Sequence, residues 1–90
     1  MIRYVYILRC ADGSLYTGRT TSVKRRIGEH NKGNGSLFTK NKLPVKLVYV
    51  EKYSNLNQAF KREFQIKRWR REKKENLIKL GRPYPAKESS

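Results

Sequence analysis

Residues 2–10, IRYVYILRC, and residues 14–19, SLYTGR, flank the tripeptide Ala11-Asp12-Gly13. How these two segments pair decides the fold. The first is rich in β-branched and aromatic residues, which predicts a strand over Ile2–Cys10, and the second predicts a shorter strand over Ser14–Arg19. Alternation places Tyr4, Tyr6, Leu8 and Cys10 on one face, and Arg3, Val5, Ile7 and Arg9 on the other. Asp12-Gly13 marks a turn, and its length sets the register. A two-residue loop would pair Arg9 with Tyr16 and put Tyr6 and Tyr16 on opposite faces. A three-residue loop, with Gly13 in the left-handed conformation, pairs Leu8 with Tyr16 and Tyr6 with Gly18. Both tyrosines then share a face, and this is the register expected.

Moving outward, Thr20-Thr21-Ser22 offers hydroxyl caps for a helix over Val23–Lys32. Val23 and Ile27 lie at i, i+4 and form its expected buried stripe. Arg26 and His30 have the same spacing on an adjacent face, so their side chains are neighbours. Gly33 and Gly35 end the helix. Residues 33–44 read as a loop closed by Pro44, with Leu37 and Phe38 tucked onto the core. Val45–Tyr53 reads as a third strand. Ser54 or Asn55 caps a helix over Leu56–Arg71, and a last helix over Lys73–Leu80 stops at Gly81, with Pro83 beyond. The order is β-β-α-β-α-α, an α/β chain of the α+β kind. One domain is expected over residues 1–81 and a mobile tail over 82–90.

Ninety residues suit a single core. Lys and Arg number 22 against 7 Asp and Glu, a formal charge of +15. A polyanionic partner fits that imbalance, because each neutralised phosphate releases condensed counterions. No run of 18 apolar residues is present to span a bilayer, and the apolar block near Met1 is too short and interrupted for a signal peptide. Cys10 is the single cysteine, expected as a buried thiol with no disulfide to form. A cytoplasmic protein that meets nucleic acid is the expectation.

Three features of the second half carry alternatives. Leu56, Ala59, Phe60 and Ile66 define an apolar stripe at roughly 100° per residue, with Glu63 in its midst. A carboxylate there must be paired, protonated or coordinating a cation. A salt bridge to Lys67 or Arg26 is one reading, and a hard divalent metal with oxygen ligands is the other. Trp69 either packs against the last helix or stacks on a base. The basic run Lys67–Lys74, KRWRREKK, is either a solvated face or a nucleic-acid contact.

Taken together, the order Tyr-x-Tyr, then Tyr-Thr-Gly, Arg ten residues after Tyr16, His four later and a distant helical Glu resembles the GIY-YIG nuclease superfamily. Tyr4-Val5-Tyr6 stands for Gly-Ile-Tyr and Tyr16-Thr17-Gly18 for Tyr-Ile-Gly. The stretches LYTGRTTSVKRRIGEHNKG and AFKREFQIKRW...KKENLI are similar to small stand-alone bacterial members, and the resemblance covers residues 2–80. It implies a central three-stranded antiparallel sheet flanked by three helices. It also implies that Tyr6, Tyr16 and Arg26 match the family tyrosines and arginine, and Glu63 the metal-binding glutamate. His30 falls at a Tyr-or-His position. Arg19 is placed where a basic residue follows the second triplet, and Gly18 where a glycine lets the backbone pass the site closely.

The chemistry implied is phosphodiester hydrolysis in DNA, or RNA, with a single Mg²⁺ or Mn²⁺ at Glu63. Tyr6, with Tyr16 as the other candidate, would take the proton from the attacking water, with Arg26 and Arg19 favouring the phenolate. Arg26 would bind phosphate, and Tyr16 and His30 would orient water or phosphate. Lys67, Arg68, Arg70 and Arg71 would contact the nucleic acid. A structure-selective or weakly specific endonuclease of DNA repair or recombination is the leading expectation, with a protein partner to supply specificity. A basic binding module with weak or no catalysis is its competitor.

Overall fold

The structure, a computed structural model, describes residues 2–81; the tail expected over residues 82–90 lies outside them. Strand β1 (Arg3–Arg9) pairs antiparallel with β2 (Leu15–Thr20) on one side and β3 (Lys46–Tyr53) on the other, giving the sheet order β2-β1-β3. Leu8 pairs with Tyr16 and Tyr6 with Gly18. The three-residue loop produces this register: the Gly13 N–H donates to the Cys10 carbonyl at 2.9 Å, and Gly13 takes φ 88°. Asp12 Oδ1 fixes the turn by accepting from the Ser14 N–H and hydroxyl at 2.9 and 2.6 Å, the local bonding that makes Asp a turn residue.

Helix α1 (Val23–Asn31) starts at Ser22, whose hydroxyl accepts from the Arg25 N–H. Its expected stripe is only half right. Val23 and Ile27 are half-buried, and the buried residue of the helix is His30. The segment read as a loop contains a four-residue helix, α2 (Leu37–Lys40), capped by Ser36. Leu37 does not tuck in; it is 89% exposed. Phe38 is also largely exposed, but its ring lies 6.0 Å from that of Tyr16.

Helix α3 (Leu56–Lys67), capped by Asn55, and helix α4 (Arg71–Leu80), closed by Gly81 at φ 69°, replace the expected 56–71 and 73–80. The chain breaks at residues 68–70, where Trp69 is half-buried against the core cluster that contains Ile66 and Leu77. Trp69 therefore takes its packed reading.

The sheet carries a core on each face. Val5, Ile7 and Tyr49 meet Ala59, Ile66 and Leu77 from α3 and α4. Tyr6, Leu8, Cys10 and Val45 meet Ile27 and Leu43 on the side of α1. Cys10 is a buried free thiol, as expected.

The buried face of α3 is not the one the apolar residues suggested. Ala59, Arg62 and Ile66 face inward, whereas Leu56 and Phe60 are half exposed. Arg62 is accepted there because Glu51, fully buried on β3, receives its Nε at 2.9 Å and a terminal amino group at 2.9 Å. The hydroxyls of Tyr49 and Tyr53 complete the carboxylate's bonding at 2.5 and 2.6 Å. Burial disfavours the Glu51 charge, but the bonds from Arg62, Tyr49 and Tyr53 outweigh it and hold its carboxyl below the ordinary glutamate value. Tyr49 and Tyr53 thus carry hydrogen bonds to a buried carboxylate. The sequence sign was present in Tyr49-x-Glu51-x-Tyr53, a carboxylate between two tyrosines on one face of a strand.

Candidate active site

Tyr6 is anchored in the middle strand, and its buried hydroxyl lies across β2 at Gly18. The backbone permits this only because residue 18 lacks a side chain. A Cβ on Gly18 would fall inside contact distance of the Tyr6 hydroxyl and lie 3.0 Å from Cε2 of Tyr16. Tyr16 packs beside this channel, its ring 6.3 Å from Tyr6 and 5.0 Å from His30.

His30 projects from α1 into the same cluster. Its Nε2 lies 3.2 Å from the Tyr6 hydroxyl and its Nδ1 2.8 Å from Thr39 Oγ1. The Thr39 hydroxyl can turn to the Ser36 carbonyl at 3.4 Å or the Ser36 hydroxyl at 3.1 Å, and in the tautomer that carries its proton on Nδ1, Thr39 Oγ1 accepts it. Nε2 is then bare and accepts from Tyr6. Burial, and then the charge of Arg26, push the His30 pKa below its ordinary value, which keeps the ring neutral at pH 7. Gly35 makes room for the ring, since a Cβ there would strike the imidazole. Sequence reasoning missed Gly35 and Thr39, whose roles come from a close approach that no spacing rule reports.

Arg26 lies on the exposed side of this pair. It donates to Glu29 at 2.9 Å and to the Gly35 carbonyl at 2.6 Å. Tyr6 is pushed up to about 12 by burial, against a hydrogen bond from Arg26 that favours the phenolate. The cationic neighbours therefore do not produce a phenolate near pH 7.

Glu63 comes to this strand from the other side of the sheet. Its Oε1 accepts from Arg19 Nε at 2.9 Å and its Oε2 pairs with Lys67 Nζ at 2.9 Å. Arg19 pairs in register with Val5, so it starts on the face opposite Gly18. Tyr6, Tyr16 and His30 gather on one face of the sheet, whereas Glu63 lines a recess on the α3 side with Arg19, Phe60, Phe64 and Lys67. Glu63 is close enough for its charge to add to the upward shift of Tyr6. Its side chain is 13% exposed, paired as the salt-bridge reading required, with Arg19 rather than Arg26 as the second partner. Of the other expected contacts, Arg68 lies over the Phe64 ring, Arg70 is exposed at the start of α4, and Arg71 donates to the Gly13 carbonyl at 2.7 Å.

Among the described residues, no group of three or more His, Cys, Asp or Glu converges to hold a metal. Glu63 offers one carboxylate, and the other near these residues, Glu29, is paired with Arg25 and Arg26. Each Glu63 oxygen keeps a lone pair beyond its single cation partner. A hard ion that retains most of its waters, as Mg²⁺ does, fits that donor set.

The geometry can be set beside known proteins. A family profile described as the GIY-YIG catalytic domain matches residues 2–76. The chain belongs to the GIY-YIG domain family. This is a nuclease superfamily whose members generally use divalent metal ions. A UPF0213 protein of Staphylococcus aureus is 50% identical over 76 residues, covering 84% of this chain and 93% of that protein. A UPF0213 protein from Bacillus halodurans, solved by solution NMR, superposes with a TM-score of 0.61 at 45% identity. That match covers 93% of this chain and 90% of the other. A second solution structure, from E. faecalis, gives 0.62 at 38% identity, over 89% and 85% of the two chains. The three-stranded antiparallel GIY-YIG sheet expected from the resemblance is present, with α2 as an addition. No helix among the described residues is long and apolar enough to cross a membrane.

Proposed function

We propose that this GIY-YIG domain hydrolyses phosphodiester bonds in DNA as a divalent-metal-dependent endonuclease. The supporting observation is the Tyr6–His30 hydrogen bond, set beside Arg26 and within electrostatic reach of Glu63. Residues 1–81 act as one domain in the cytoplasm, in DNA repair or recombination, with a partner protein supplying specificity. Lys67, Arg68, Arg70 and Arg71 contact the nucleic-acid backbone, and their rows of charge suit RNA equally well.

In this reading Arg26 binds the scissile phosphate and offsets its growing negative charge. Water attacks phosphorus and gives its proton to the Tyr6 oxygen, while the Tyr6 proton passes to His30 Nε2. This relay explains how a phenol with a raised pKa serves as the base: the neutral imidazole behind it is the final acceptor. Tyr16 shields the relay and holds the water in line. A Mg²⁺ or Mn²⁺ at Glu63 would supply Lewis-acid stabilisation of the phosphate and leaving oxygen.

Cleavage of single-stranded, nicked and branched DNA with Mg²⁺ or Mn²⁺ tests the proposal. Glu63→Ala and Arg26→Ala should each lower the rate by about a hundredfold or more while DNA binding persists. A second reading, a binding module with weak or no catalysis, is favoured by the two cations already on Glu63. Metal-independent binding with no cleavage by the wild-type chain would select it.

The relay also fixes a pH profile. The folded His30 pKa lies below about 6.5, so Nε2 is free to accept above that value and blocked below it. Cleavage should fall on the acid side of the ordinary histidine range and stay level from pH 7 to 9. A rate that instead climbed tenfold per pH unit through that interval would identify a tyrosinate base and rule out the relay.

A further inference from the structure

Phe60 and Phe64, one helical turn apart on α3, are 54% and 56% exposed. Two large rings in water beside a charged site are unusual, and Phe60 belongs to the stripe that the hydrophobic pattern would bury. Each ring is overlain by a guanidinium: Arg19 Cζ lies 5.4 Å from the Phe60 centroid, and Arg68 Cζ 5.4 Å from the Phe64 centroid. Together with Glu63, Arg19 and Lys67 they line an open recess of about 210 Å³. Glu63 therefore has aromatic rings on its outer side and the Tyr6 cluster on the other face of the sheet.

Alternating aromatic faces and cations is the surface that single strands use. Bases stack on rings without regard to sequence, while Arg and Lys track the phosphates. A duplex hides its base faces in the stack and cannot use such rings. Self-association through the same patch would bring Arg19, Lys67 and Arg68 of one copy against those of another, on a chain of charge +15, and like charges oppose that contact. Charge complementarity thus favours a polyanion with exposed bases.

We infer that Phe60 and Phe64 form a stacking shelf that captures unpaired nucleotides of DNA and presents the adjoining phosphate to the Glu63 side of the site. The shelf rests on the nuclease reading for its purpose but not for its binding. It makes a single-stranded segment, such as a flap or gap, the substrate class of the domain.

The test is fluorescence anisotropy of oligo-dT and of a mixed-sequence duplex, with EDTA present so that no cleavage occurs. Phe60→Ala with Phe64→Ala should weaken oligo-dT binding roughly five- to hundredfold per stacked base and leave duplex binding within about twofold. Phe60→Tyr with Phe64→Tyr should retain binding, whereas the Leu pair, apolar but without rings, should lose it. Both positions are exposed, and circular dichroism verifies that each variant is folded.

Unchanged oligo-dT affinity in the Ala pair overturns the shelf. So does equal retention by the Leu pair, or a wild-type dimer in sedimentation that the Ala pair abolishes without any change in DNA affinity. The two readings fail separately. A shelf without wild-type cleavage leaves the binding inference standing, whereas Glu63-dependent cleavage that ignores the rings leaves only the nuclease.

Discussion

Glu51→Ala is expected to destabilise the domain by about 3–5 kcal/mol, the usual cost of stranding one partner of a buried ion pair. That loss is a large share of the roughly 5–15 kcal/mol that holds a typical domain together. Arg62 is 5% exposed and would keep its charge without the carboxylate, while the Tyr49 and Tyr53 hydroxyls would lose an acceptor. Urea unfolding followed by circular dichroism measures the change. A loss under about 1 kcal/mol would mean that solvent reaches Arg62 in the variant and that the pair does not organise the core. Pairing Glu51→Leu with Arg62→Met should recover part of the stability, since a buried pair replaced by apolar groups of similar volume is often neutral or better, while the Tyr49 and Tyr53 hydroxyls still lose their acceptor.

The same carboxylate sets an acid limit. Its folded pKa is lowered, so the native state binds fewer protons than the unfolded chain near the ordinary glutamate value. The stability it contributes is complete above about pH 5 and drains away as pH falls through the folded pKa. Wild-type stability should decline over that acid range more steeply than that of the Leu–Met double variant.

If the domain is the nuclease proposed, Gly18→Ala is expected to lower cleavage by about a hundredfold, the scale associated with misplacing a reacting group by an ångström. The new methyl group would strike the Tyr6 hydroxyl and crowd Tyr16. Tyr6 is nearly fully buried in the central strand, so its ring cannot swing clear without disturbing Leu8 and Val45 beside it. Overpacking of this kind costs about 1–3 kcal/mol of stability. The informative readout is the division between binding and rate: oligonucleotide affinity should hold while turnover falls. A variant that cleaved normally would show that Tyr6 need not reach over β2 and would detach it from the chemistry.

The hairpin register was legible because it depends on local chemistry. Asp12 and Gly13 define a loop of fixed length, and a period of two carries Tyr6 and Tyr16 onto one face once that length is known. Capping was equally local: Ser22, Asn55 and Gly81 end their helices as their side chains, or the lack of one, dictate. The basic balance and the GIY-YIG resemblance were also properties of the string alone.

What the string could not decide was which way α3 faces. Leu56 and Phe60 drew the apparent stripe toward Glu63, yet the helix is rolled so that Ala59, Arg62 and Ile66 face the sheet. Glu51 on a distant strand makes that roll stable by neutralising Arg62, and a pairing across 11 residues of chain has no signature in helical periodicity. The same roll leaves Phe60 and Phe64 in water. Glu63 likewise meets Arg19 of β2 from the α3 side of the sheet. The sequence by itself determined the three strands, the order of the main helices, the hairpin register and the family, because each depends on neighbours along the chain. Only the tertiary structure decided which charges are buried, which rings are exposed and which residues surround Glu63, because those are set by partners that folding alone brings together.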